Sequence, residues 1–311
     1  MMIFKNLKHI RQREIALIIG VMALPLLPAN PTAGLGSFVR HTHAAEAAPK
    51  IGTSRLVTIG GDVTEIVYAL GEENRLIARD STSLYPKEAA KLPDVGYMRA
   101  LSPEGILAVN PTAIIAVEGS GPPEALAVLR NASLPFETVP QAYDRDGILE
   151  KIVVVGTLLG VPDKAEALKD RVAADLDAAI NDSAKRPEAE RKRVLFVLSS
   201  QNGKIMASGT NTAADGIIKL TGAINAISGF SGYKPVTDEA IIEAKPDVIL
   251  IMDREGPLSI SNEDLLKQPA ISLTPAASQK AIVRMDGLHL LGFGPRTASA
   301  IRELNAAIYG G

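Results

Sequence analysis

The chain has 311 residues, 46% of them apolar and 22% charged, with no cysteine, no tryptophan and a formal net charge of −2. That size suits two domains of ordinary length or one large one, and the composition excludes a disordered protein. The missing cysteines exclude a disulfide framework and a lipid-carrying cysteine. No basic stripe interleaved with aromatics is present, which excludes an ordinary nucleic-acid binder.

Lys5, Lys8, Arg11 and Arg13 precede an apolar run from Ile15 to Leu27, and small residues follow in "HTHAAEAAPK". This pattern predicts a secretory signal peptide over residues 1–48, with a mature start between residues 45 and 50; an uncut membrane anchor is the alternative. Removal takes five basic and two acidic residues from totals of 33 and 35, so the remainder carries a net charge of −5. An exported chain without cysteine is expected to be a soluble periplasmic protein of a Gram-negative cell.

Beyond residue 50, short β-branched runs alternate with helical patterns. "RLVTIG" (55–60), "LIARD" (76–80), "AIIAVEG" (113–119) and "FETVP" (136–140) read as buried strands. Between them "TEIVYALG" (64–71), "SPEGILAV" (102–109) and "PPEALAVLRNA" (122–132) read as helices, the second opening with a serine cap and a first-turn proline. From Asp144 to about Asp182 no strand pattern appears. Ile148, Ile152, Val155 and Leu159 form one helical stripe, and after "GVPD" Leu168, Val172, Leu176 and Ala179 form another, on a helix about 30 Å long. Strand patterns then return at "RVLFVLS" (193–199), "DVILIMD" (247–253) and "AIVRMDG" (281–287), with helices at 212–222, 237–245 and 294–309.

The alternation predicts an α/β protein of two Rossmann-like lobes with mainly parallel sheets, joined by a long helix, with a ligand cleft between the lobes. The expected divisions are an N-terminal lobe at 49–143, a helical connector at 144–190 and a C-terminal lobe at 191–311. The lobes also echo one another: "VTEIVYALGEENRLIA" and "VTDEAIIEAKPDVILI" both run cap, glutamate, apolar helix, break and strand.

Enzyme chemistry finds little support. His289 is the one histidine beyond the expected leader region, so a zinc cluster has no donors and a catalytic triad would have to use it; no G-x-S-x-G motif occurs. "GSGPP" and "GFGPR" lack the remaining residues of a phosphate loop. The stretch "LPDVGYMRALSPEGILAVNP" is more informative, because it sets Tyr97 and Arg99 two residues apart on a glycine-flanked loop. A phenol near pKa 10 becomes a hard oxygen ligand when a ferric ion and a neighbouring guanidinium stabilise the phenolate. On residue chemistry alone, a packed loop tyrosine beside a solvent-facing arginine accounts for the pair more simply. Glu65 and Glu239, one per lobe and each read into a first helical turn, suit the positive end of a helix dipole, and their matched placement also suits a two-point docking surface.

Together, "TEIVYALG", "DSTSLYP", "LPDVGYMRALSPEGILAVNP", "SGTNTAAD", "PDVILIMDR" and "LLGFGPRT" resemble the haemin-binding periplasmic proteins of bacterial haem ABC importers, the HmuT type. These are helix-linked substrate-binding proteins related to cobalamin and siderophore carriers. The resemblance covers about residues 52–310. It implies ferric haem b as the transported ligand, with Tyr97 as axial ligand to the haem iron. It also implies that Arg99 hydrogen-bonds the phenolate and that Arg254 approaches from the other lobe. Glu65 and Glu239 would meet arginines of a dimeric permease with its ATPase, downstream of a TonB-dependent outer-membrane haem receptor. No catalysis is implied, and a siderophore or cobalamin carrier is the alternative. The loop "SQNGKIMASG" lacks the histidine by which some relatives hold a second haem, so one haem is expected.

Overall fold

The computed structural model describes residues 52–201, 203–253 and 260–310. The leader expected over residues 1–48 and Arg254 lie outside the described residues.

The first half alternates strand and helix: β1 (Leu56–Ile59), α1 (Gly61–Ala69), β2 (Leu76–Arg79), α2 (Pro103–Ala108), β3 (Ala113–Val117), α3 (Pro123–Asn131) and β4 (Phe136–Val139). The four strands form one parallel sheet in the order β2-β1-β3-β4. Parallel strands covered on both faces need unbroken apolar runs, and every residue of β1 and β3 is buried. Helix α1 begins three residues earlier than its sequence pattern indicates. Gly60, with φ of 113°, turns the chain out of β1, and a Cβ on Gly61 would lie 2.5 Å from Leu288 and 2.6 Å from the Thr82 carbonyl.

Two helices follow, α4 (Arg145–Leu158) and α5 (Pro162–Ala184). Asp144 caps the first, accepting from the Gly147 N–H at 2.8 Å. Gly160, at φ 70°, ends it, and Pro162 opens the second. With 23 residues, α5 is about 34 Å long.

The remainder comprises β5 (Arg193–Gln201), β6 (Lys204–Ser208), α6 (Ala213–Leu220), β7 (Ile224–Asn225), β8 (Tyr233–Val236), α7 (Asp238–Ala244) and β9 (Val248–Asp253). It ends with α8 (Asn262–Leu266), α9 (Pro269–Ser272), α10 (Pro275–Ser278), β10 (Ile282–Asp286), α11 (Gly287–Leu291) and α12 (Thr297–Tyr309). The second sheet runs β10-β9-β5-β6-β8, with β7 also on β5. Its β10, β9, β5 and β7 pairings are parallel, whereas β5–β6 and β6–β8 are antiparallel. The segment "SQNGKIMASG", read from sequence as a loop, is thus a hairpin: Gly203 takes φ 75° at the turn and Ile205 and Ala207 are buried.

One apolar core extends from Leu56, Val63 and Ile66 through Ile148, Val155, Leu168 and Leu176 to Phe196, Leu250 and Ile301. The opposite faces of the two sheets carry their own clusters, around Val57 and Ile114 in one and Leu195 and Ile249 in the other. The helical connector is therefore part of the core.

Candidate functional site

In open parallel sheets, ligands collect beyond the C-terminal ends of the strands. At that edge of the first sheet the loop after β2 is tied down by one carboxylate. Asp80 is fully buried and accepts from the Gly60 N–H (3.0 Å), the Thr82 N–H (3.0 Å), the Thr82 hydroxyl (2.7 Å) and the Ser83 hydroxyl (2.6 Å). This accounts for three residues of the "DSTS" segment: Asp80, Thr82 and Ser83 close the bonds that hold the loop over β1.

The Tyr97 loop is stitched to it. Arg79 pairs with Asp94 at 2.7 Å, the Gly96 N–H donates to Asp94 at 2.8 Å, and the Ser81 N–H donates to the Gly96 carbonyl at 2.9 Å. Farther along, the Leu101 N–H reaches the Gly121 carbonyl, and the Gly121 N–H reaches the Met98 carbonyl. Val95 and Leu101 are buried and Met98 packs against the core, so the intervening Tyr97 and Arg99 project outward. Tyr97 is 46% exposed, and Arg99 is exposed too. The alternation of inward and outward side chains answers why the loop presents both.

Arg99 also acts across the molecule. Burial raises the phenol pKa of both Tyr143, just before α4, and Tyr233, on β8 of the second sheet; the positive charge of Arg99 opposes the rise in each. Arg99 thus lies near enough for its charge to be felt at a residue just ahead of α4 and at one on the second sheet. Among the described residues no group of three histidine, cysteine or acidic side chains converges as a metal site. The Tyr97 loop presents a phenol and a guanidinium outward at this edge.

The two acids expected to dock a partner differ in setting. Glu239 is exposed at the start of α7, where the helix N–H and the Thr237 hydroxyl hold its carboxyl below the ordinary range. Glu65 is 5% exposed and lies in the second turn of α1. One of its oxygens accepts the Arg296 backbone N–H at 3.1 Å and the other accepts the Arg296 guanidinium at 2.9 and 3.0 Å. Burial pushes its carboxyl up, with Arg296 opposing. The sequence echo was set out of register.

The matching place in the first half belongs to Glu104. Ser102 caps α2 as Thr237 caps α7, and Glu104 and Glu239 each lie two residues beyond the cap. Asn110 (φ 50°) and Lys245 (φ 44°) close the two helices in left-handed geometry, each before a proline and each leading into a central strand. Glu104 is exposed, and its own N–H and the Ser102 hydroxyl lower its pKa in the same way. The spacing from cap to left-handed residue was the signal that sequence reasoning missed. Arg254 follows β9 but is not among the described residues.

The model of the family "Periplasmic binding protein" matches residues 56–287. Among solved structures, the periplasmic heme-binding protein BhuT in complex with two hemes is 38% identical, at a TM-score of 0.77 and covering 82% of this chain and 97% of that one. The periplasmic heme-binding protein RhuT from Roseiflexus sp. RS-1, in apo form, is also 38% identical, with a TM-score of 0.78 and coverage of 83% and 98%. A vitamin B12-binding protein of Pectobacterium atrosepticum is 27% identical over 271 residues, 85% of this chain and 92% of the other. A family match across both sheets, with the two-lobed fold of these neighbours, makes the conclusion plain: the chain belongs to the periplasmic binding protein family.

Proposed function

We propose that this protein is a periplasmic carrier of ferric haem, delivering it to an inner-membrane ABC permease and its ATPase. The observation that carries the reading is the Tyr97–Arg99 pair, held outward on a tied loop at the edge where such folds bind ligands. Haem is cargo here: Tyr97 would bind its iron through phenolate, and Arg99 would stabilise that anion. The likeness to BhuT and RhuT at 38% identity supports haem as the ligand class. Hemin titration followed by absorption tests it. The protein should develop phenolate-to-iron charge-transfer bands, and Tyr97→Phe should lose them; identical bands in the variant would remove Tyr97 from this role.

The vitamin B12-binding relatives favour a second reading, a cobalamin carrier on the same fold. Tight cyanocobalamin binding with no hemin response would select it. BhuT was solved with two hemes, whereas one haem was expected here from the missing histidine; the titration endpoint decides between the counts.

For docking, Glu104 and Glu239 suit basic residues on a partner, since both carboxylates are exposed and matched in position. Glu65 would have to break from Arg296 before it could serve.

A further inference from the structure

The loop that begins with Asp80 keeps two large apolar side chains in water even though it is firmly tied. Four donors fix residues 80–83 on the Asp80 carboxylate. Leu84 and Tyr85 follow, 51% and 42% exposed. Tyr85 is nonetheless held, because the Arg296 guanidinium lies over its ring, 3.5 Å from the centroid. Arg296 is itself fixed by Glu65 through both its guanidinium and its backbone N–H, and its Nη1 lies 3.2 Å from His289 Nδ1. One face of the ring is thus covered by a cation whose charge is balanced by a buried carboxylate. The ring is otherwise 42% exposed, and the loop that carries it is joined to the Tyr97 loop by the Ser81–Gly96 hydrogen bond.

An aromatic ring that is ordered but unburied has already lost rotamer freedom and still has apolar area to bury, which is the condition that favours ligand contact. We propose that Tyr85 is a second ligand-contacting residue of the cleft, offering its open ring surface to a flat conjugated ligand. Arg296 and Glu65 are positioning residues that fix this ring; they do not touch the ligand. This assignment rests on the haem reading and adds a stacking contact to it. It also gives the buried Glu65–Arg296 pair a role distinct from docking.

Hemin titration of the whole protein and of Tyr85→Ala, Tyr85→Phe, Arg296→Lys and the Tyr85→Ala/Arg296→Lys pair tests it. Tyr85→Ala should weaken hemin binding ~10-fold, about what one aromatic contact with its buried area supplies. Its charge-transfer bands should match those of the unsubstituted protein, because Tyr97 is intact. Tyr85→Phe keeps the ring and should remain within about 2-fold. Arg296→Lys keeps the charge for Glu65 but not the planar stack, so it should weaken binding ~3-fold alone and add nothing once Tyr85 is alanine. Unchanged affinity in Tyr85→Ala overturns the assignment, as does an equal loss in Tyr85→Phe. A loss from Arg296→Lys that persists in the alanine background overturns the positioning role. If the unsubstituted protein gives no hemin response, the haem reading falls and this one with it; the other outcomes overturn the Tyr85 assignment alone.

Discussion

Tyr97 and Arg99 show how single residues acquire meaning from their neighbours. Val95, Met98 and Leu101 take the inward positions, so the outward ones are held by a backbone that has little freedom to turn them in. His289 teaches the opposite lesson, since its environment removes its charge instead of recruiting it. Burial, and then the positive Arg296 beside it, lower its pKa below 6.5, with Glu303 at 3.3 Å only partly compensating. A lowered histidine pKa means that the unfolded chain binds the proton first as pH falls. Stability therefore declines from about pH 6.5 down through the lower folded value, and is regained above it. Melting curves of the protein and of His289→Gln across pH 5 to 8 should differ in this window, the variant losing less on acidification; parallel curves would exclude the mechanism.

At the scale of elements, the polar residues of the Asp80 loop act as one unit. Removing the carboxylate strands buried donors, so Asp80→Ala should lower stability by about 3 kcal/mol in urea unfolding and weaken hemin binding through both adjoining loops. The caps of α2 and α7 are more modest devices: Ser102→Ala or Thr237→Ala should each cost ~1 kcal/mol. The strands were legible in sequence because parallel strands buried on both faces need continuous apolar runs, as in "AIIAV" and "VILIMD". The β5–β6 hairpin was missed although "NG" is itself a hairpin signal in sequence, because the second strand is only five residues long and its apolar pattern is correspondingly weak. The start of α1 was misread for a related reason: Gly60 and Gly61 look like a turn, but they let β1 pass directly into the helix.

At the scale of the molecule, Lys151 joins three parts of the chain. Its fully buried ammonium donates to Asp62 of α1, to Gln141 ahead of α4 and, at 3.3 Å, to the Phe293 carbonyl ahead of α12. A lone buried carboxylate is costly, so Lys151→Met should destabilise by about 3–5 kcal/mol, and Asp62→Asn added to it should recover part of that loss. Thermal melts of the two variants check this. The exposed acids belong to this scale as well. Glu104→Ala with Glu239→Ala should leave hemin affinity unchanged while reducing delivery to a reconstituted transporter. Normal delivery would remove both acids from docking.

The sequence by itself determined the α/β alternation, the helical connector and the loop that bears Tyr97 and Arg99. These rest on local periodicity and on turn residues, which act over a few positions. Tertiary structure alone decided the partners: Arg296, 231 residues from Glu65, buries that glutamate, and Glu104 occupies the place matching Glu239. Exposure depends on what the rest of the chain brings alongside, and an acidic residue in an apolar helix pattern carries no local mark of whether its counter-charge will be solvent, a partner or its own distant arginine.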